Sequence, residues 1–585
     1  MNQTDQSAAE PQQYSKDYWD LVFEQLGRSR GFKLAMVILA LLYAGAIYAP
    51  LLAHDQPLRV EAINRAEYGN AQRTLYPAVL GLGRMVKQSP EQYLEQRTSG
   101  SELSYAQALE GERGGVALRV ETMKGWLGVE TDPVLDELLA KVDLAIVASG
   151  AGDAEAAKAR SSEAKALAKQ VKKEYGAADP GDPAAGGKEL ISQVRYPLFA
   201  TLHWSAVFFM VLWAFVLLWP VWNRLINGRL LGADRERIRR ARKSKLLVVL
   251  GCTVASALVW LVMTGSSSSA RAANYKQDIT DGKLDDVTAS MTLIPYGFSE
   301  VKGAEDFRPP TWLSSAEISE EGYYVRGLKV AVRDPVTGEM PPPKPVSVLS
   351  GEPTSNAATR HIFGTDQNGR DLFARLLWGG RISLTVGLLS ASLLLLIGTV
   401  IGAVAGYFGG WVDIVISRVI EVFLCIPSFP LIMMISAFID PDEIPPIYSI
   451  VVIIALIRWT GVARLVRAEF LRLREAEFAV AAKALGFSSR RTIFKHILPN
   501  AFAPALVAGA FAVASGILTE STLSFLGFGI QEPAASWGSL INESKSPDTW
   551  WVQVFAGLLI FVTITCYNQV GDAFRDAVDP KMQKH

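Results

Sequence analysis

Residues 464–500 read RLVRAEFLRLREAEFAVAAKALGFSSRRTIFKHILPN, and an apolar run flanks them on each side. Up to Leu485 the stretch is rich in strong helix formers. Gly486 follows where a C-terminal glycine ends a helix. Ser488 and Ser489 are suited to cap a second helix, and Pro499 to open the next apolar run. The spacing therefore predicts two short helices at an angle, between two membrane spans. Ala479, Ala481, Ala482 and Ala484 make the turn before Gly486 thin. A thin basic helix suits a groove with acidic rims in another protein. A solvated amphipathic loop fits the same residues equally well.

Outward from this loop, the 585 residues alternate between polar stretches and apolar runs. The runs are about twenty residues long, which matches a hydrocarbon core of about 30 Å. Eight spans are expected, near 32–53, 197–222, 246–265, 382–407, 412–439, 446–463, 500–526 and 549–570. The class is an all-α polytopic membrane protein with polar insertions. The first run follows about thirty polar residues and is too long for a cleaved leader, so it reads as a retained anchor. Arg28, Arg30 and Lys33 precede it and place the N-terminus in the cytoplasm. An eight-span count then puts three further segments inside: the basic loop Arg224–Lys245, the loop 464–499 and the C-terminus. Both loops are rich in Lys and Arg, as the charge rule requires. The acidic loop Ile439–Pro446 falls outside.

Lys+Arg and Asp+Glu both number 58, so no bulk charge points to nucleic acid. Cys252, Cys425 and Cys566 lie in or beside apolar runs, which leaves the insertions no disulfide framework. Five histidines lie scattered without metal-ligand spacing. No phosphate-binding loop, nucleophile elbow or zinc-protease pair occurs, so no catalytic, metal or cofactor residues are expected.

The same count places residues 54–196 and 266–357 outside. The first is helix-forming over Asp132–Ala148 and Asp153–Tyr175, with breaks at Ser149–Asp153 and Gly176–Lys188. It reads as a helical hairpin or small bundle, either a spacer or a docking surface. The second holds short β-type runs such as Gly322–Val332 and the prolines 341, 342, 343 and 345. It reads as a small irregular β-rich region with an extended linker.

The residues Ala481-Ala482-x-x-x-Gly486, followed by Leu498-Pro499, resemble the EAA loop of bacterial ABC-importer permeases. The glutamate of that triplet is Val480 here, and Glu477 lies one turn earlier. His361-x-Phe-Gly-Thr-Asp-Gln-Asn-Gly-Arg-Asp371, Arg375 and Arg381-Ile-Ser383 narrow the likeness. So do Gly406-Tyr-Phe-Gly-Gly-Trp-Val-Asp413, Leu523-Ser-Phe-Leu-Gly527, Ser536-Trp-Gly538 and the tail Gly571-Asp572-x-x-Arg575-Asp-x-x-Asp579-Pro580. Together they are similar to the C-type permease of dipeptide and oligopeptide importers over residues 358–581, and more weakly over Tyr18–Ala53. Such permeases ordinarily have six spans, so 197–265 reads as an inserted helix pair that preserves the orientation of the later spans.

The resemblance implies an ABC permease core, 358–581, in the bacterial inner membrane. It implies a paralogous permease, two ABC ATPase subunits that use ATP and Mg, an extracytoplasmic solute-binding protein, and import of peptides or peptide-like solutes. It assigns ATPase coupling to Glu477, Ala481, Ala482, Lys483, Gly486 and Pro499. A different class stays open: a membrane scaffold or sensor whose outside insertions carry the function.

Other residues carry expectations from their chemistry. Asp366, Arg370 and Asp371 suit an ion-pair cluster that fixes the entry of the fourth span, or a direct contact with solute. Gly398, Gly402 and Gly406 suit close helix packing. Arg418 and Glu421 suit an intrahelical pair or snorkelling. Glu520 suits a pore or gate position, or a polar pocket near the outer boundary. Pro427 and Pro430 are expected to kink or break the fifth span and to form a hinge or cavity there.

Overall fold

The computed structural model describes residues 18–88, 93, 104–178, 187–227, 235–264, 275–280, 284–301, 307, 309–310, 316–319, 322–325, 328–332, 361–441, 443–544 and 546–578. The prolines 341–345 lie outside the described residues. Helix α1 (Tyr18–Arg28) leads into α2 (Arg30–Ile47), capped by Ser29, which accepts from Phe32 N at 3.3 Å. After strand β1 (Arg59–Ile63) come α3 (Arg65–Met85), α4 (Tyr105–Leu127), α5 (Pro133–Gly150) and α6 (Ala154–Glu174). Strand β2 (Gln193–Arg195), α7 (Trp204–Leu217), α8 (Trp219–Leu225), α9 (Arg235–Thr264) and β3 (Asp285–Ser290) follow. A separate antiparallel sheet runs β4 (Ala316–Ser319), β5 (Gly322–Val325) and β6 (Leu328–Val332).

The membrane core comprises α10 (Leu372–Phe408), α11 (Gly410–Cys425), α12 (Ser428–Phe438), α13 (Pro446–Leu473), α14 (Glu477–Ala484), α15 (Ser489–Phe525), α16 (Trp537–Glu543) and α17 (Trp550–Val578). Among the described residues six helices are long and apolar enough to cross a membrane, and two bent pairs raise the number to eight. The pairs are α7–α8, bent by 62°, and α11–α12, bent by 81°. Most expected spans start or end several residues off. The fourth begins at Leu372 rather than 382, because Asp371 caps it and accepts from Ala374 N at 2.8 Å.

The first insertion is a bundle of α3 to α6. Local signals explain its ends. Ser104 and Gln107 form a reciprocal capping box, Asp132 caps α5 ahead of Pro133, and Asp153 caps α6. Leu75, Leu82, Met123, Leu135 and Leu138 fill the centre. Ala157, Ala164 and Ala168 let α6 lie close against them. Buried Asp132 accepts from the Tyr175 hydroxyl at 2.7 Å, and Tyr68 donates to the Tyr175 carbonyl at 2.8 Å.

One sheet joins the first insertion to the start of the second. Strand β1 lies between β2 and β3, antiparallel to both, with Val60 opposite Arg195 and Ala289. The foot of the bundle and the start of the second insertion therefore share one sheet. That sheet pairs residues more than 200 positions apart, which no local pattern reveals. The second insertion then reaches the core, where the Tyr296 ring lies 4.5 Å from that of His361. Trp378 Nε1 donates to the Ala53 carbonyl at 2.9 Å.

In the core, α10 packs along α13 and α15, and α15 along α17. The glycines explain the first contact. A Cβ on Gly402 would stand 2.5 Å from the Ala463 carbonyl oxygen, and one on Gly406 would stand 2.5 Å from Phe470 Cβ. Gly402→Val is thus expected to force α10 and α13 apart, at a cost of about 1–3 kcal/mol. Thermal unfolding in detergent measures it. Gly461→Ala, with nothing within 4 Å, is the control that leaves the transition in place.

Candidate functional site

The loop 464–499 folds otherwise than expected in two ways. Helix α13 ends at Leu473, and Ala476 is extended before α14 begins. Nothing local in the sequence asks for this break. Packing explains it: α14 folds back so that Ala479 joins Phe470, Leu473, Ile493 and Ile497 in one apolar cluster. The second short helix is not separate. Residues Ser489–Phe525 run on as one helix through a π-helical turn at Thr492–Ile497. Pro499 therefore lies inside a continuous helix rather than opening a span. It lacks an N–H, and the wide turn before it absorbs that loss.

Gly486 behaves as expected. It takes φ +76°, Leu485 N donates to Ala481 O at 3.0 Å, and Phe487 N donates to Ala482 O at 3.1 Å. Ser488 caps the next turn by accepting from Arg491 N at 3.4 Å.

The six expected coupling residues divide by side. Ala482 is buried with Ala479. Its small size serves the seat of α14 on its own chain. Glu477, Ala481, Lys483, Gly486 and Pro499 are exposed. Lys483 Nζ lies 5.2 Å from the centre of the Tyr407 ring, at the end of α10. Sequence reasoning missed the apolar part of the outer face, formed by Phe478, Val480 at 51% exposure, Leu485 at 73% and Phe494. Ser488, Arg490, Arg491 and Phe494 line a groove of about 420 Å³ beside it. The result is an apolar centre with a basic flank. Asp413 and Arg467 pair at 2.6 Å and hold the start of α11 to α13 nearby.

At the opposite end of α10 the charge cluster is larger than the sequence suggested. Asp366 is fully buried and accepts from Arg370 Nε at 2.7 Å, from Asn368 N at 2.8 Å and from Arg375 Nη1. Arg375 also pairs with Glu543, and Arg370 Nη2 pairs with Glu532 at 2.7 Å. Asp371 is not part of this network. It caps α10 and pairs with His361 Nδ1 at 2.7 Å. The Arg370 hydrogen bond holds the Glu532 carboxyl below its ordinary range, while burial pushes that of Glu543 up. Arg375, Glu532 and Glu543 were not among the expected members. Glu532 and Glu543 lie 162 and 168 residues from their arginine partners, which gave no signal, whereas Arg375 is nine residues from Asp366. The cluster therefore ties the start of α10 to the segment between α15 and α17. Gln367, Ser539, Asn542 and Glu543 help line an adjoining cavity of about 770 Å³.

Glu520, for which a pore or gate position or a polar pocket was expected, lies in a polar pocket. The residue is fully buried, accepting from Ser383 Oγ at 2.9 Å and Ser524 Oγ at 2.8 Å. Ser383 in turn accepts from Trp537 N at 3.2 Å, so the carboxyl joins α10, α15 and α16. Glu520→Leu strands these hydroxyls and is expected to destabilise the chain by about 1–3 kcal/mol, read as earlier thermal unfolding. A pore-lining residue would instead reduce uptake and leave unfolding unchanged.

Pro427 stands at a break in its span, and Pro430 lies within the first turn of α12. Ile426 is extended, as a residue before proline prefers, and Pro427 is the N-cap of α12. A cavity of about 300 Å³ lies at the far end of α12, lined by Ser436, Ile439 and Gln531, and neither proline lines it. Arg418 and Glu421 pair at 2.6 Å on an exposed face of α11.

A family model for the binding-protein-dependent transport system inner membrane component matches residues 398–584. The dipeptide transport system permease protein DppC of Alkalihalophilus pseudofirmus is 39% identical over 228 residues, which is 39% of this chain and 74% of that protein. The oligopeptide transport system permease protein OppC of Haemophilus influenzae is 40% identical over 237 residues, 40% of this chain and 74% of its own length. DppC of Bacillus subtilis is 38% identical over 227 residues, 38% of this chain and 70% of its own.

Proposed function

This chain belongs to the family of inner-membrane permease components of binding-protein-dependent transport systems, and on that footing we propose that it imports peptides or peptide-like solutes. It is a multi-pass membrane protein and supplies the path, not the ATP chemistry. In this reading it pairs with a paralogous permease, and two ABC ATPase subunits, which use ATP and Mg, dock at the loop 464–499. A solute-binding protein delivers the solute from outside. Both termini are cytoplasmic, and the first insertion faces the binding protein's side of the membrane.

The observation that carries the proposal is the two-sided character of α14. Its inner side is sealed to α13 and α15 by Ala479 and the cluster around it. Its outer side leaves Phe478, Val480 and Leu485 without cover in this chain. Closure of the ATPases on ATP moves α14, and the sealed side passes the displacement to α13 and α15. The spans then exchange inward-open for outward-open packing, provided that ATP favours one packing by about 5 kcal/mol for a near-complete shift. Vesicles holding the purified complex, charged with ATP and the binding protein, test it. Peptide accumulation that depends on ATP supports the reading, and ATP hydrolysis without any accumulation contradicts it.

A further inference from the structure

One charged group in the core is unexplained by packing or coupling. Arg458 lies on α13, which runs Pro446–Leu473. At 1.5 Å per residue it stands roughly 18 Å from one end of the helix and roughly 22 Å from the other. A cation at that depth faces either the bundle interior or a water-filled route, because contact with lipid is costly. Its Nη1 donates to Ser515 Oγ on α15. Its Nε is buried without an acceptor among the described residues. No described carboxylate pairs with it. The nearest acid along α15, Glu520, is already held by Ser383 and Ser524.

The direction in which the group opens is given by α15. Ser515, Leu518, Thr522 and Phe525 follow a spacing of three and four residues and share one helix face. Leu518 and Phe525 on that face are exposed. Arg458 itself is only half-buried, and the Ser515 that it bonds belongs to that face. A guanidinium stays charged in such a place and offers a planar edge that matches a carboxylate.

We propose that Arg458, steadied by Ser515, is a specificity-determining residue that receives the C-terminal carboxylate of a peptide on its way through the membrane. This rests on the peptide-import reading above. The carboxylate is the one anionic group that every unmodified peptide carries, whatever its side chains. A cation for it is compatible with solutes of varied sequence, whereas a side-chain pocket is not.

The test uses the complete transporter in vesicles, with its partner permease, ATPases and binding protein. Uptake of trialanine is compared with that of trialanine amide for the native chain, R458K and R458Q. The binding protein is the same throughout, so the change in the acid-to-amide ratio isolates Arg458. R458Q is expected to lower trialanine uptake about tenfold and amide uptake less than about twofold, with R458K between. Where the binding protein rejects the amide, the complex without it serves. Trialanine then raises the unfolding temperature of the native complex but not of R458Q. Equal losses for both peptides, or equal thermal shifts in both complexes, overturn the assignment. Loss of the partner permease from the purified R458Q complex overturns it too, in favour of an acidic residue of that subunit. Failure of the native complex to import trialanine at all defeats the import reading itself and is visible before any variant is compared.

Discussion

Val480→Asp combined with Leu485→Asp is expected to abolish ATP-driven uptake, by about a hundredfold or more, while the chain still inserts and folds. Both side chains are more than half exposed, so neither change buries a charge in the chain itself. In the proposed docking they lie in the centre of an apolar contact with the ATPases. Two desolvated aspartates there cost a few kcal/mol each, enough to lose the ATPases. Protein level in the membrane and unfolding temperature should match the native chain, and the ATPases should be missing from the purified complex. Ala482→Glu makes the opposite case. Ala482 is buried, so glutamate there displaces α14 from its seat, and the chain is expected to unfold early. Uptake is lost in both variants, but only the first keeps a folded permease.

Arg375→Ala is expected to have the largest effect on stability. The guanidinium is fully buried and pairs with Asp366, also fully buried, and with Glu543. Removing it leaves Asp366 and Glu543 to Arg370 alone, at 2.7 and 3.6 Å, and breaking a buried pair costs about 3–5 kcal/mol. Thermal unfolding of the purified chain in detergent should start well below that of the native protein. Adding Glu543→Gln to Arg375→Ala should recover part of the loss, because one of the stranded charges is then gone. Equal stability in the double and single variants would show that Glu543 is not held by Arg375.

The fold was readable where the pattern is local. Apolar runs marked eight spans, and among the described residues six helices are long and apolar enough to cross a membrane, or eight if each bent pair is one span. Caps such as Asp371 and Ser488, and the helix-ending Gly486, are explained by side chains a few residues away. The features that the sequence did not disclose depend on distant partners. The sheet joining 59–63, 193–195 and 285–290 is one case. The break at Arg474–Ala476 is another, since it arises only from the packing of Ala479 on Ile493 and Ile497. The same holds for the site. Small residues before Gly486 marked α14, but which alanines face inward depends on the surface against which α14 folds. Asp366 and Arg370 were legible as neighbours in the chain. Arg375, Glu532 and Glu543 needed the assembled core to bring them together. Arg458 sits within the apolar run 446–463, and its contact with Ser515 on another helix is seen only in the assembled core.

The most direct measurement is purification of the tagged chain from native membranes in mild detergent, with mass spectrometry of the proteins that accompany it. Import through a coupling face at α14 predicts a paralogous permease and ABC ATPases in stoichiometric amounts, and their loss from the Val480→Asp, Leu485→Asp chain. Clean recovery of the native chain without any ATPase, in a preparation where another ABC complex stays intact, would contradict it and return attention to the outside bundle as the working part.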